Sequence, residues 1–140
     1  MKKITIIDGQ GGRMGKAIVE QLKKEFPKQE LLAIGTNSIA TAAMLKAGAD
    51  YGATGENPVI VAARDSDIII GPIGIVIADS LFGEVTPAMA VAVGQSKACQ
   101  LLMPVNRCNH HVAGCENMSL NEIIAIVIQQ VREHLQSPES

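Results

Sequence analysis

The feature that most constrains this chain lies in its first sixteen residues, where a short apolar run breaks into four glycines and re-emerges with helical spacing. Ile4, Ile6 and Ile7 are β-branched and end at Asp8, as a buried strand of a parallel sheet should. Gly9, Gly11, Gly12 and Gly15 follow. They let the backbone bend sharply and leave no Cβ where a ligand must come close. From Arg13 onward Met14, Ile18 and Leu22 fall on one helical stripe, with Ala17 beside it. A helix that starts at such a turn aims its unpaired N–H groups and positive dipole end at the space above the strand. That space suits an anion, and phosphate is the usual occupant. The spacing is Gly9-x-x-Gly12-x-x-Gly15, or Gly9-x-Gly11-x-x-x-Gly15, both variants of the dinucleotide turn because Met14 stands where the usual third glycine would be. A turn that holds only water or a stray anion is the plainer alternative.

The same alternation continues along the chain. The first helix is expected to run to Lys24 or Glu25, before Pro27, and Leu31–Ile34 reads as a second strand ending at Gly35. Ser38 is placed to cap a helix through Ala47, with Gly48 as its stop. A brief third strand is expected near Tyr51. Asn57-Pro58 reads as a cap and first helical position for a helix to Arg64. Asp67–Gly71 is the fourth strand, and 75–81 is read as a helix, with further strand as the alternative. Thr86-Pro87 opens a helix through Lys97, and Gln100–Val105 is the fifth strand. Ser119 and Glu122 form a capping box, and the helix behind them carries apolar residues at 120, 123, 124, 127, 128, 131 and 135. Residues 137–140 read as a polar tail after a single domain over 1–136.

Five apolar strands alternating with helices predict an α/β fold. The expected form is a doubly wound, Rossmann-like, five-stranded parallel sheet in the order 3-2-1-4-5, with helices on both faces. Its length suits one domain with a substantial core, and that core must be aliphatic, since Phe26, Tyr51 and Phe82 are the only aromatics. A net charge of −2 and few aromatics argue against a nucleic-acid partner. Met1-Lys2-Lys3 resembles an export signal's start, but Asp8 and the glycines interrupt the apolar stretch, so it reads as a first strand. Residues 68–78 are too short to span a membrane, and Pro72 and Gly74 break them. Three cysteines without a secretory signal suggest reduced thiols and a cytoplasmic protein.

In such sheets ligands bind beyond the carboxyl ends of the strands, at the switch between strands 1 and 4. That rule gathers four segments into one candidate site: Asp8, Gly9, Gln10, Gly11, Gly12, Arg13, Met14 and Gly15; Gly35, Thr36 and Asn37; Gly71, Pro72, Ile73 and Gly74; and Asn106–Cys115, with Asn106 and Arg107 as its ligand contacts. Asp8 is unfavourable beside a phosphate, so capping of the turn's own N–H groups is its expected role, with a ribose hydroxyl or a metal as alternatives. Thr36 and Asn37 either meet the nucleotide or simply form a turn and cap the next helix. Gly71–Gly74 either makes room for a flat ring or ribose, or shapes a tight turn before an interface helix. Cys108, His110, His111 and Cys115 hold possible zinc ligands, but their spacing fits no common zinc module, and no metal is expected. Cysteine near histidine also suggests a nucleophile and base, without establishing their geometry.

Gly9-Gln10-Gly11-Gly12-Arg13-Met14-Gly15 resembles the nucleotide-binding turn of dihydrodipicolinate reductases. The resemblance implies a pyridine-nucleotide pyrophosphate on the amides of Gly11, Gly12, Arg13 and Met14. The reductase's second, substrate-binding domain has no counterpart in this chain. Over most of its length the chain resembles an uncharacterised bacterial family of small single-domain Rossmann-like proteins. In that family a similar turn, Gly35-Thr36-Asn37, Gly71-Pro72-Ile73-Gly74 and Asn106-Arg107-Cys108-Asn109 occur in this order. That family has no assigned activity, so the resemblance implies a fold and no reaction.

The expected cofactor is NAD or NADP. No carboxylate stands at the end of the second strand to hold a ribose diol, which tilts the reading toward NADP. A mononucleotide or coenzyme A is the other phosphate ligand left open. The functional expectation is a nucleotide-binding homodimer joined through 73–81 and the helix from Pro87, an NAD(P)-dependent oxidoreductase in one reading. A non-catalytic nucleotide-sensing module is the other, and it accounts better for the missing substrate domain.

Overall fold

The computed structural model describes residues 1–104 and 110–137. Five strands pair in parallel in the order β3-β2-β1-β4-β5. They are β1 (Ile4–Asp8), β2 (Leu31–Gly35), β3 (Tyr51–Thr54), β4 (Ile68–Pro72) and β5 (Cys99–Met103). The helices are α1 (Arg13–Glu25), α2 (Ser38–Lys46), α3 (Glu56–Asp65), α4 (Pro87–Gln95) and α5 (Leu120–Gln136). This is the doubly wound α/β sheet that the sequence predicts. Asp8 pairs with Gly35, Ile6 with Ile70, and Pro72 with Met103, so the ends of β1, β2, β4 and β5 lie along one rim.

Strand side chains alternate between faces, and here both faces are covered. Ile4, Ile6, Ile68 and Ile70 face one layer with Ile18 and Leu22 of α1, Met44 of α2, and Ile124, Val127 and Val131 of α5. Ile7, Ile34 and Ile69 face the other with Val59 and Ala63 of α3 and Met89 and Val93 of α4. A run such as Ile68-Ile69-Ile70 is therefore fully buried although it has no polar side.

Several element ends differ from expectation. Asn37, not Ser38, caps α2, its Oδ1 accepting from the Ala40 amide at 2.9 Å. Gly55, not Asn57, precedes α3, which leaves Pro58 within the first turn, where a missing N–H costs no helical bond. β5 begins one residue before the expected start and ends at Met103, and α4 ends at Gln95. The largest departure is at 75–81. A single 3₁₀ turn (Ile73–Val76) buries Ile75, and then the chain leaves helical geometry. Asp79, Leu81 and Phe82 have φ of 64°, 56° and 56°, a left-handed conformation that no right-handed helix accommodates. The loop closes on itself instead, the Asp79 amide donating to the Val85 carbonyl at 2.7 Å and the Glu84 amide to the Leu81 carbonyl at 3.1 Å.

Candidate functional site

At the end of β1 the chain turns on a buried carboxylate. Asp8 is 5% exposed and accepts from the Gly9 amide at 2.8 Å and the Gly15 amide at 2.6 Å. It thus ties the first and last glycines of the turn together, which is the capping role expected of it. Burial pushes its pKa up, the Gly15 and Gly9 hydrogen bonds oppose this, and the nearby negative charge of Glu84 adds to the rise.

The four glycines have different duties. A Cβ on Gly9 would come within 2.5 Å of Thr36 Oγ1, and one on Gly15 within 2.5 Å of Met44 Sδ. Gly12 has φ +73° and lies against the α2 backbone, where a Cβ would meet Ala40 Cα at 2.9 Å. These three follow from the chain's own packing. Gly11 does not: its φ is outside the left-handed range, and a Cβ there would meet nothing nearer than Arg13 Cγ at 4.0 Å. The Gly12 amide closes the turn on the Gly9 carbonyl at 2.9 Å, while the amides of Gly11 and Arg13 donate to nothing among the described residues.

The end of β2 holds a surprise. Glu84, 48 residues beyond Thr36 in sequence, places Oε1 at 2.6 Å from Thr36 Oγ1, 2.8 Å from Asn37 Nδ2 and 2.9 Å from the Gln10 amide, all three donating to it. Asn37 Nδ2 also donates to the Gln10 carbonyl at 3.0 Å. Gln10 is thereby held on both sides in its left-handed conformation, φ 51°. The expectation of NADP rested on there being no carboxylate at this strand end, and that premise is corrected: the carboxylate comes from a distant loop. The turn-and-cap reading of Asn37 is what its geometry shows.

At the end of β4, Gly71 lets the strand approach β1, since a Cβ would come within 2.4 Å of the Ile7 carbonyl oxygen. The chain then tightens into the 3₁₀ turn, where Ser80 Oγ donates to the Gly74 carbonyl at 2.5 Å. Two cavities meet here. One, of about 230 Å³, lies over residues 8–14 and is walled by Pro72, Leu81 and Leu120. The other, of about 300 Å³, is lined by Gln10, Pro72, Ile73, Gly74, Ile77 and the loop from Ala78 to Phe82, with His110. They share Gln10, Pro72 and Leu81, so they adjoin. Three glycines, Gly9, Gly11 and Gly12, stand in the wall of the first, and the wall of the second is largely apolar. A further groove of about 570 Å³ runs between α3 and the β2–β3 edge, away from the strand carboxyl ends.

The structure thus brings the Gly9–Gly15 turn and Pro72–Gly74 together around one space. It leaves Gly35–Asn37 beside that space as the support of Glu84. Asn106, Arg107, Cys108 and Asn109 lie outside the described residues; His110 reaches the second cavity, and His111 is exposed. Cys99 and Cys115 are unbridged thiols. Among the described residues no group of three or more His, Cys, Asp or Glu side chains converges as a metal site, and no helix is long and apolar enough to cross a membrane. Leu81, Glu84 and Leu120 were not foreseeable as site residues, because no local motif marks them.

The chain belongs to the family described as domain of unknown function DUF3842, whose model matches residues 3–136. No curated protein matches it. Among solved structures, a dodecameric FMN-dependent Ubix-like decarboxylase from Escherichia coli O157:H7 is similar at 14% identity, covering 97% of this chain and 95% of that one, with a TM-score of 0.44.

Proposed function

We propose that this protein binds a phosphate-bearing nucleotide, its phosphate on the amides of Gly11 and Arg13 and its ring in the adjoining apolar cavity by Pro72, Ile73 and Gly74. Gly11 carries this reading. Its neighbours Gly9, Gly12 and Gly15 are needed by the fold, whereas Gly11 has ordinary backbone geometry and room for a side chain. A bare position beside two unused amides at the start of a 13-residue helix suits close approach by a phosphate. NAD and NADP are the pyridine members of this ligand class, and the turn's resemblance to that of the reductases puts them on the panel.

The nucleotide serves either hydride transfer or sensing. The lining favours sensing: it is largely apolar, and His110 is the only imidazole among the described lining residues. We place the protein in the cytoplasm as a homodimer. The supporting surface is the outer face of α4, where Pro87, Ala88, Val91, Gly94 and Gln95 are exposed without one charge.

The test is a thermal-shift and calorimetric titration with NAD, NADP, AMP, FMN and coenzyme A. At least one is expected to raise the melting temperature. Gly11→Ala should melt like the parent yet bind that ligand on the order of tenfold more weakly, about 1.4 kcal/mol. If no ligand shifts the melt, or Gly11→Ala binds as well as the parent, the reading fails.

A further inference from the structure

Glu84 carries more than the bracing of the glycine turn requires. Its Oε1 alone takes the three hydrogen bonds from Thr36, Asn37 and the Gln10 amide, and its Oε2 takes none among the described residues. Bracing asks for one acceptor oxygen, which a glutamine would offer to the same three donors. The chain places a carboxylate there instead, and among the described residues no Lys or Arg pairs with it. Partial burial pushes the Glu84 pKa up, but the hydrogen bonds from Thr36, Gln10 and Asn37 outweigh it and bring the pKa below its ordinary value. The group is therefore a fixed negative charge at neutral pH. That charge is not free of cost, since it adds to the rise in the pKa of buried Asp8. The loop that delivers it holds Asp79, Leu81 and Phe82 at positive φ and is anchored by Ser80 on the Gly74 carbonyl.

The place of the charge indicates what it would receive. Thr36 and Asn37 directly follow β2, so Glu84 stands at the carboxyl end of that strand and beside Gln10 of the turn. A dinucleotide in a doubly wound sheet straddles the switch point and brings one ribose to the end of the second strand. A carboxylate there accepts from the 2′-hydroxyl, whereas a guanidinium there accommodates a 2′-phosphate. Residues 35–43 and 77–86 hold no lysine or arginine. We propose that the site takes a dinucleotide with a free ribose diol, NAD rather than NADP, and that Oε2 of Glu84 accepts from that diol. The carboxylate reaches the strand end from the loop before α4 instead of from β2 itself. Its charge repels a 2′-phosphate, and it has no donor to offer one. The assignment rests on the nucleotide reading above and narrows its ligand class.

The experiment is calorimetry with NAD, NADP, NAD lacking the adenosine 2′-hydroxyl, AMP, FMN and coenzyme A. NAD should bind about tenfold or more tightly than NADP, and loss of the 2′-hydroxyl should weaken it about tenfold. Glu84→Gln keeps an acceptor for Thr36, Asn37 and the Gln10 amide while removing the charge. It should bring NAD and NADP within about threefold of each other by weakening NAD and not NADP. A brace that never touches the ligand would instead leave their ratio unchanged, and that result in folded Glu84→Gln overturns the inference. The 2′-deoxy comparison uses the parent alone, so it decides the matter even if the variant fails to fold. Parent protein that binds NADP or the 2′-deoxy form as tightly as NAD overturns the inference and leaves the nucleotide reading standing. So does binding of AMP, FMN or coenzyme A with no heat from NAD. No heat from any of these ligands overturns both readings.

Discussion

At the scale of single residues, Asp8 and the glycines show how one turn combines structural and ligand-facing positions. Asp8 Oδ1 and Oδ2 each take one amide, from Gly9 and Gly15. Asparagine offers one acceptor and one donor, so Asp8→Asn leaves one of these amides facing a donor. The expected cost is about 1–3 kcal/mol in chemical denaturation near pH 4. Because burial raises the Asp8 pKa above its unfolded value, its contribution to stability is full in acid and fades as pH rises through the folded value. The gap between parent and Asp8→Asn should therefore be larger at pH 4 than at pH 7, and a gap that widens with pH would contradict this account. Gly12→Ala should behave unlike Gly11→Ala. It meets both a left-handed φ, worth about 1–2 kcal/mol, and the Ala40 backbone, so it should lower the melting temperature outright. Loss of binding in a Gly12 variant would then say little about the ligand.

At the scale of elements, agreement between sequence and structure follows the range of the signal. Ser119 and Glu122 lie three positions apart and exchange hydrogen bonds with each other's amides at 3.2 and 3.3 Å, so α5 begins where its letters say. Ser119→Ala should cost about 1 kcal/mol by thermal or urea melting, with the fold retained. Thr86 likewise caps α4, accepting from the Met89 amide at 3.1 Å. The segment after β4 is the counterexample. Its apolar letters fit a helix, but Ile75 is drawn into the core, and the loop's own hydrogen bonds hold Asp79, Leu81 and Phe82 in conformations that local propensity disfavours. Asn37 stands between these cases. Its capping of α2 is a local event one residue from the expected cap, whereas its contact with Glu84 spans 47 positions.

At the scale of the whole molecule, the outer surface of α4 and the loop before it set an expectation for assembly. Val91, on the outer face of α4, is 53% exposed, and Phe82, in the loop before that helix, 94%. Sedimentation equilibrium should give twice the mass of one chain, and Val91→Glu should give the mass of one with little change in secondary structure by circular dichroism. A parent protein of single-chain mass at all concentrations would remove the homodimer. The apolar stretch 73–81 contributes less to such a contact than its letters suggest, since Gly74 and Ile75 are buried within their own chain.

What the amino-acid sequence determined by itself was the order of strands and helices, the strand-turn-helix at Gly9–Gly15, the capping box at Ser119 and Glu122, the cap at Thr86 and the sheet that these imply. Each depends on residues a few positions apart, whose backbone preferences and hydrogen bonds are readable without the rest of the chain. Tertiary structure alone decided what surrounds the turn. Glu84 reaches Gln10 across 74 positions and Thr36 across 48, and no local pattern announces a carboxylate that becomes a site residue only when β2, the turn and a distant loop are packed on one rim. Which glycine is open and which are crowded was likewise settled by α2 and the loop packing against them, because a glycine's freedom is written in its letter while its neighbours are not.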